Sequence, residues 1–256
     1  MSPILSFDRT ALVLSAGGER AVAWHVGVLA GLYEHGVDPR RARRIVGTSA
    51  GALVAARLAR GDDPVERAAW LADRPTAPPP PASDAEADAL PGALPGLDWP
   101  GRLRVVAVDA LTGGRVAFGP AAGIAPALAV AASRAVPGLR PAVSIGGRPH
   151  VDGALRSATN ADLAATAGVD RVLVLDANGP AGDPLSRLWA AALEEEVAAL
   201  EARGVAVAAI RAGEEDRAAM GADPMDGSSA AAAAVEAGRL AAARWMARVA
   251  PTAVML

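Results

Sequence analysis

Apolar and polar positions form two kinds of segment along the chain, and their order predicts a parallel sheet. Short apolar runs at Ala11–Ser15 and Arg44–Val46 are each followed by glycines, as is typical of buried strands that enter tight turns. Apolar residues recur at helical spacing in Arg20–His35 and Leu53–Arg60, and a glycine follows each segment. Because the chain opens as strand, helix, strand, helix, we expect an α/β fold with helices packed on the faces of the sheet.

The same alternation resumes beyond residue 100. Pro75–Pro100 interrupts it with a four-proline run and an acidic stretch, which is typical of a flexible surface segment. Similar strand-helix units lie on both sides, so we predict a single domain over residues 1–256 with a flexible Pro-rich insertion at about 75–100. The later predicted strands are Leu103–Val108, Arg115–Phe118, Ala142–Ile145, Pro149–Val151, Arg171–Leu175 and Val205–Ile210, and the later predicted helices are Ile124–Arg134, Asp162–Ala167, Ser186–Arg203 and Ser228–Val249.

The composition of the chain excludes several kinds of active site and binding function. The chain contains no cysteine, which excludes disulfides, thiol catalysis and cysteine-based zinc sites. It contains no lysine either, so a Walker A loop, a Schiff-base enzyme and a Ser-x-x-Lys acylase are excluded. The net charge of −3 gives no electrostatic case for nucleic acid. We see no signal peptide and no apolar run long enough to span a bilayer, so a cytoplasmic location is the expectation.

One glycine-flanked serine is the candidate nucleophile. Gly47-Thr48-Ser49-Ala50-Gly51 is a G-x-S-x-G sequence that lies between a predicted strand and a predicted helix. In this setting the serine sits on a sharp turn at a helix N-terminus, and the small neighbours allow close backbone approach. The alternative from the motif alone is a glycine-rich helix entry in which Ser49 is an N-cap.

The base for that serine is more plausibly an aspartate than a histidine. No histidine follows His150, so the usual order of serine, acid and then histidine is not available. His25 and His35 lie in the first predicted helix, as a packing residue and a solvated helix-end residue. Asp152-Gly153 closes a predicted hairpin strand and supplies a carboxylate, although an Asp-Gly step is also a common turn.

A glycine pair supplies the candidate oxyanion hole. Gly17-Gly18 lies between the first strand and the first helix, where its N–H groups can face a substrate carbonyl oxygen, and Glu19 can add a third. The alternative is a plain dinucleotide-type turn. The dinucleotide fingerprint G-x-G-x-x-G is absent, which disfavours a Rossmann interpretation.

Together, and in this order, the three motifs resemble the patatin-like phospholipase family. Further segments are similar to the same family: His25–Leu29, Ala132–Pro137 and the stretch from Asp152 to Leu163. The resemblance implies a three-layer α/β/α sandwich with a mostly parallel central sheet. It implies a Ser49–Asp152 dyad, an acyl-enzyme on Ser49, and lipid or acyl ester substrates, with no metal and no organic cofactor. The remaining residues that the motifs assign are Gly47, Thr48, Ala50 and Gly51 in the nucleophile elbow, Gly153 and Ala154 in the acid motif, and Gly17, Gly18 and Glu19 in the oxyanion hole.

The sequence also departs from the family pattern. Ser15-Ala16 and Ala21 stand where the family loop is usually richer in glycine, which questions the geometry of the loop. The open alternatives are an esterase or thioesterase for small soluble acyl substrates, and a non-catalytic lipid-binding module with the same fold.

Contact with a membrane surface has only scattered support in the sequence. Leu94, Leu97 and Trp99 are candidates for an apolar docking segment, with ordinary loop packing as the alternative. Arg40, Arg41, Arg43 and Arg44 form a basic cluster that could meet lipid phosphates, although a solvated connection is the simpler interpretation. The sequence does not indicate an oligomeric state.

Overall fold

The secondary structure follows the predicted alternation of strands and helices. The structure, a computed structural model, describes residues 7–73, 94, 98–180, 182–226 and 229–249. Its strands are β1 Thr10–Leu14, β2 Arg44–Thr48, β3 Leu103–Asp109, β4 Arg115–Phe118, β5 Val143–Ile145, β6 Arg148–Asp152, β7 Arg171–Asp176 and β8 Ala206–Arg211. Its helices are α1 Gly18–Glu34, α2 Ala50–Arg60, α3 Pro64–Ala72, α4 Pro126–Ser133, α5 Pro184–Glu201, α6 Glu214–Met220 and α7 Ala231–Val249.

The eight strands form one sheet in the order β5-β6-β3-β2-β1-β7-β8, with β4 also paired to β3. The strands from β3 through β2, β1 and β7 to β8 run parallel to one another. β4, β5 and β6 join in antiparallel pairs at the β3 end. The carboxyl ends of the five parallel strands therefore share one edge of the sheet, which in open α/β sheets is where ligands bind.

Helices cover both faces of the sheet. Because strand side chains alternate in direction, Leu12 and Leu14 enter one apolar cluster, whereas Ala11 and Val13 enter the other. The first cluster includes residues of α1, α2, α4 and α7, and the second includes Leu193 of α5. The predicted three-layer α/β/α arrangement with a mostly parallel sheet is confirmed. None of the described helices combines the length and the hydropathy that a membrane-spanning segment needs.

Several predicted boundaries need correction. Residues 162–167 do not form an α-helix, because the structure has a single 3-10 turn over Ala161–Ala164 and an extended Ala165. The helix predicted from Ile124 starts at Pro126, since a residue that precedes proline is disfavoured in helical geometry. The short helices α3 and α6 were not predicted. The Pro-rich segment lies largely outside the described residues, so the insertion and the single domain stay predictions.

Candidate active site

β2 and β6 pair with the same edge of β3, and their carboxyl ends meet there. Val106 pairs with Thr48 of β2 on one side and with Ala117 of β4 on the other. The next residue, Ala107, pairs with Asp152 of β6, again with β4 on its other side. β6 therefore takes over the edge of β3 where β2 ends. Since β2 runs parallel and β6 antiparallel to β3, the chain leaves both strands at the same point.

This arrangement brings Ser49 and Asp152 together across 103 positions of sequence. The Ser49 hydroxyl donates a hydrogen bond to Oδ2 of Asp152, with 2.6 Å between the two oxygens. The other carboxylate oxygen, Oδ1, accepts a bond of 2.8 Å from the backbone N–H of Ala154. Both side chains are buried. The pair has the geometry of a nucleophile in direct contact with its base.

Ser49 occupies a strained backbone position at the start of α2. Its φ is 54° and its ψ is −117°, in a region that residues other than glycine rarely adopt. Ser49 precedes the helix without a side-chain capping bond, so the alternative role as an N-cap does not describe its hydroxyl. Gly51 permits the tight turn, because a Cβ there would lie 2.2 Å from the carbonyl oxygen of Leu14. Backbone strain held by tight packing is characteristic of functional sites.

The carboxylate of Asp152 lies in a poorly hydrated setting. Burial raises the pKa of Asp152 to about 6, whereas the bonds from Ser49 and Ala154 and the charges of Arg134 and Arg140 act to lower it. A general base works best when its pKa lies near the working pH. The aspartate is therefore poised to take up and release a proton near neutral pH.

Ser133 is a site residue to which the sequence motifs assign no role. It ends α4 and is completely buried. Its hydroxyl donates to the carbonyl oxygen of Val106 at 2.5 Å and accepts from the backbone N–H of Ser49 at 2.9 Å. The side chain therefore holds the strained residue against β3, the strand with which Asp152 of β6 pairs. Ser133 lies in the segment Ala132–Pro137 that resembles the family, and that resemblance is the signal that could have identified it.

The glycine pair begins α1 beside this turn. Gly17 and Gly18 have φ values of 154° and 73°, and no side chain caps the helix. The first N–H groups of an α-helix have no partners within the helix, so this terminus can bind an anion. Ser15 accepts a bond from Gly51 N–H at 3.2 Å, which joins the loop to the nucleophile turn. The two positive φ values fall on glycines, so Ser15, Ala16 and Ala21 do not obstruct the loop.

Known proteins provide an independent comparison. The family model described as "Patatin-like phospholipase" matches residues 12–77, which include both the glycine pair and the turn around Ser49. The predicted resemblance is confirmed. The match ends before Asp152, so it does not cover the acid of the patatin-like motif set. The search of curated proteins gives no match.

Solved structures provide a comparison of the fold. VipD from Legionella pneumophila is similar with a TM-score of 0.52 at 14% identity, over 94% of this chain and 67% of the VipD chain. The type III effector protein ExoU is similar with a TM-score of 0.43 at 15% identity, over 93% of this chain and 53% of the ExoU chain. The VipD comparison supports the fold of this chain, and at this identity it carries no information on activity.

A cluster of charges flanks the candidate site. Glu19, in the first turn of α1, forms ion pairs with Arg134 and Arg140, the latter at 3.0 Å. Burial acts to raise the pKa of Glu19, but the two guanidinium groups outweigh it and hold that pKa below its ordinary value. Arg134 follows Ser133 directly. The cluster therefore connects the glycine loop to the residue that holds Ser49.

No histidine serves the candidate dyad. His25 is completely buried, and its Nε2 lies 3.4 Å from the carbonyl oxygen of Leu175. Burial lowers the pKa of His25 to about 4, as expected of a packing residue. His35 and His150 make ring-nitrogen bonds to the carbonyl oxygens of Gly31 and Arg148. Within the described ranges, none of the three rings bonds to Ser49 or Asp152.

A groove of about 710 Å³ lies beside α5. Residues of the β3–β4 turn and of α5 line it, together with Arg156 and Ser157. Glu196, a buried acid of α5, borders this groove and accepts bonds from the Thr159 hydroxyl at 2.6 Å and the Ala161 N–H at 2.7 Å. Neither Ser49 nor Asp152 lines the groove, so we do not assign it to the reaction.

The residues predicted for membrane contact do not form an apolar surface. Leu94 is buried in the core, and the partly buried Trp99 packs against it while its indole N–H donates to Ile124. The packing alternative is therefore correct for both, and Leu97 lies outside the described residues. Arg40 pairs with Asp38 and Asp63. The basic cluster of Arg40, Arg41, Arg43 and Arg44 lies at the start of β2. This is the end of the strand opposite Ser49, so the cluster does not border the site.

Proposed function

We propose that the protein is a lipid acyl hydrolase, of the phospholipase A, lysophospholipase or lipid esterase kind, with Ser49 as nucleophile and Asp152 as base. The observation that carries this proposal is the 2.6 Å hydrogen bond between a strained, buried serine and a carboxylate whose pKa burial raises to about 6. Similarity of residues 12–77 to patatin-like phospholipases supports a lipid substrate.

The first half of the reaction forms an ester on the enzyme. Asp152 accepts the proton of the Ser49 hydroxyl as Oγ attacks the carbonyl carbon of the substrate ester. The N–H groups of Gly17, Gly18 and Glu19 stabilise the negative charge on the carbonyl oxygen. The bond to the leaving alkoxide then breaks, and the alkoxide takes the proton from Asp152. The products are a released alcohol, such as a lysolipid, and an acyl group on Ser49.

The second half releases the acid. Asp152 accepts a proton from a water molecule, whose oxygen attacks the acyl carbonyl. When the tetrahedral intermediate collapses, Oγ of Ser49 takes up the proton from Asp152. A free fatty acid leaves, and both residues return to their starting states. Every proton passes between Ser49, Asp152, the alcohol and water, so the steps balance with these groups alone.

Covalent labelling tests the proposal. We expect a fluorophosphonate probe to react with the native protein at Ser49, as mapped by mass spectrometry of the adduct. Ser49→Ala should abolish the adduct and Asp152→Asn should reduce it strongly. Ser144→Ala, at an exposed serine of β5, is the matched control and should label like the native protein. An unlabelled native protein, under conditions where a known serine hydrolase reacts, would favour a non-catalytic lipid-binding module.

Substrate panels separate the remaining alternatives. The same dyad would hydrolyse phospholipids in vesicles and short-chain esters or thioesters in solution. The surroundings of the site decide which of these substrates it accepts. A lipid hydrolase is expected to have a higher kcat/KM for the vesicle substrate. Preference for the soluble substrates would replace the lipid assignment with an esterase or thioesterase.

A further inference from the structure

Among the exposed large apolar side chains of the described residues, four belong to segments that contact the site. Leu139, Leu155, Leu185 and Leu188 are 47%, 60%, 52% and 66% exposed, and we call these four leucines the apolar rim. Exposed apolar groups that gather in one place, rather than singly over a surface, are typical of a docking site.

The connections of the rim place it around the dyad. Leu155 is three residues from Asp152, and the carbonyl of the intervening Ala154 accepts a bond of 2.9 Å from the Trp189 indole. That bond holds the first turns of α5, with Leu185 and Leu188, beside the acid motif.

Leu139, the fourth leucine of the rim, lies on the other side of the site. Leu139 precedes Arg140, which binds Glu19 in the glycine loop at 3.0 Å. The rim therefore flanks the site from both the α5 side and the α4 side. It also lies at the sheet edge where the parallel strands end, which is the edge that carries Ser49.

Arginines accompany the leucines of the rim. Arg140, Arg156 and Arg187 are the sequence neighbours of Leu139, Leu155 and Leu188. In the part of the chain that the structure describes, Arg156 and Arg187 are exposed and form no salt bridge, and Arg187 bonds only to the carbonyl oxygen of Gly182. The two guanidinium groups therefore have no described carboxylate within salt-bridge distance, and Arg156 shares the groove beside α5 with Glu195 and Glu196.

At the far end of the sheet, Arg40 and Arg41 are paired with Asp38, Asp63 and Asp8. Arg43 and Arg44 form no salt bridge among the described residues, and Arg44 bonds to Thr166. At the rim, Asp183 is the acid nearest in sequence to Arg187, and its carboxylate bonds to Ser186 at the start of α5. Exposed leucines interleaved with unpaired arginines match a surface whose interior is apolar and whose headgroups are anionic.

We propose that the apolar rim and its arginines dock the protein on an anionic lipid bilayer, with the leucines among the acyl chains and Arg156 and Arg187 at the phosphates. The inference deepens the proposed function and rests on it, since docking there would bring the ester bonds of the bilayer to Ser49. It assigns the partner by chemistry, as a bilayer with acidic headgroups.

Vesicle binding and soluble catalysis test this surface separately. The probes are vesicles of phosphatidylcholine alone and vesicles of phosphatidylcholine with phosphatidylglycerol, and binding is measured by co-sedimentation. Hydrolysis of 4-nitrophenyl butyrate in solution reports the dyad without a membrane. The variant Leu185→Ser/Leu188→Ser is expected to lower the partition coefficient on the mixed vesicles by about tenfold or more, because two apolar side chains no longer insert. Its soluble hydrolysis should stay within about twofold of the native rate, since neither residue touches the dyad.

Charge and position have their own controls. Arg156→Gln/Arg187→Gln should lower binding to the mixed vesicles by about tenfold while leaving binding to neutral vesicles unchanged. Leu240→Ser is the matched apolar control, because Leu240 is half exposed on α7 beside Arg239, which pairs with Glu34 at the far end of α1. Arg203→Gln, an exposed arginine beyond the end of α5, is the matched charge control. Both control variants should bind like the native protein.

The outcomes separate this proposal from the proposed function. Undiminished vesicle binding by the leucine variant, or an equal loss in Leu240→Ser, would overturn docking through the rim. A rim variant that changes the native mass in light scattering would instead assign the rim to contact with a second copy, and would also overturn it. Soluble hydrolysis without any vesicle binding removes the docking surface and keeps the hydrolase. Rim-dependent vesicle binding with no hydrolysis of any ester keeps the docking surface and removes the hydrolase.

Discussion

Two buried carboxylates with raised pKa values lie on opposite faces of the sheet, and only one is a candidate for catalysis. Burial raises the pKa of Asp152 to about 6, and it also raises the pKa of Glu196. Glu196 accepts bonds from the Thr159 hydroxyl and the Ala161 N–H, in a turn where Asn160 adopts the left-handed conformation that asparagine tolerates. Asp152 accepts its bond from the hydroxyl of a serine held at φ 54° beside an uncapped helix N-terminus. A raised pKa therefore marks burial, and the strained donor distinguishes the candidate base.

The difference between Asp152 and Glu196 is tested most directly by neutralising each carboxylate in turn. Asp152→Asn should lower kcat/KM for ester hydrolysis by about 10³-fold, because an amide cannot take the proton of Ser49. Glu196→Gln should stay within about threefold of the native value, since an amide oxygen can still accept from Thr159 and Ala161. Steady-state kinetics on a soluble ester measure both variants. Equal losses in the two would mean that the pair at Ser49 has no special role.

Buried serines offer a second comparison across the same two regions. Ser133→Ala removes the hydroxyl that binds the Ser49 N–H, so kcat should fall by roughly 10-fold to 100-fold with little change in KM. Ser157→Ala is the matched control, because Ser157 is equally buried but bonds within the Thr159 and Asn160 turn. The rate of fluorophosphonate labelling should fall with kcat in the first variant only. A loss confined to KM would assign Ser133 to substrate binding instead.

Acidity should act on the region around Asp152. Hydrolysis requires the ionised carboxylate, so kcat/KM should fall about tenfold per pH unit below a midpoint near pH 6. A pH-rate profile of the native protein measures the midpoint, and Glu196→Gln should leave it in place. A midpoint near the ordinary value for an aspartate would show that the site is wetter than its burial indicates.

Protonation of Asp152 should also affect stability, and here it is the protonated form that favours the folded state. Because the folded-state pKa of Asp152 is raised, the unfolded chain binds fewer protons than the folded chain between about pH 4 and pH 6. The free energy of unfolding therefore falls as pH rises through that window, by about 2–3 kcal/mol in total. Asp152→Asn should be more stable than the native protein by about that amount at pH 7 and equal to it below about pH 4. Denaturant titrations at the two pH values measure the difference.

The smallest expected effect concerns the backbone of the nucleophile. Ser49→Gly should exceed Ser49→Ala in free energy of unfolding by about 1 kcal/mol, because only glycine adopts this φ without strain. Ser144 on β5 is the control, where glycine should be less stable than alanine by a similar amount. Paired denaturant titrations provide the measurement. Equal stability of the two variants at position 49 would mean that the strain is relieved elsewhere.

Much of this arrangement was predictable from the sequence, and the rest depended on pairing between distant segments. The spacing of apolar residues and the glycines between segments are local signals, and they predicted all eight strands to within a few residues. The same local signals did not identify α3 or α6, which are short. Ser133 and the Glu19 ion pairs escaped because their roles exist only once α4 packs against β3. The exposure of the four rim leucines could not be predicted from the sequence, since exposure is a property of the fold.

Ser49 and Asp152 meet only where β2 ends and β6 begins to pair along β3. This arrangement has a consequence for synthesis in the cell. Asp152 is 103 residues after Ser49, so a growing chain on the ribosome holds the serine without its base while those residues are added. A hydrolase of the proposed kind would thus remain inert until its central sheet had closed, and the onset of hydrolysis would report the completion of folding.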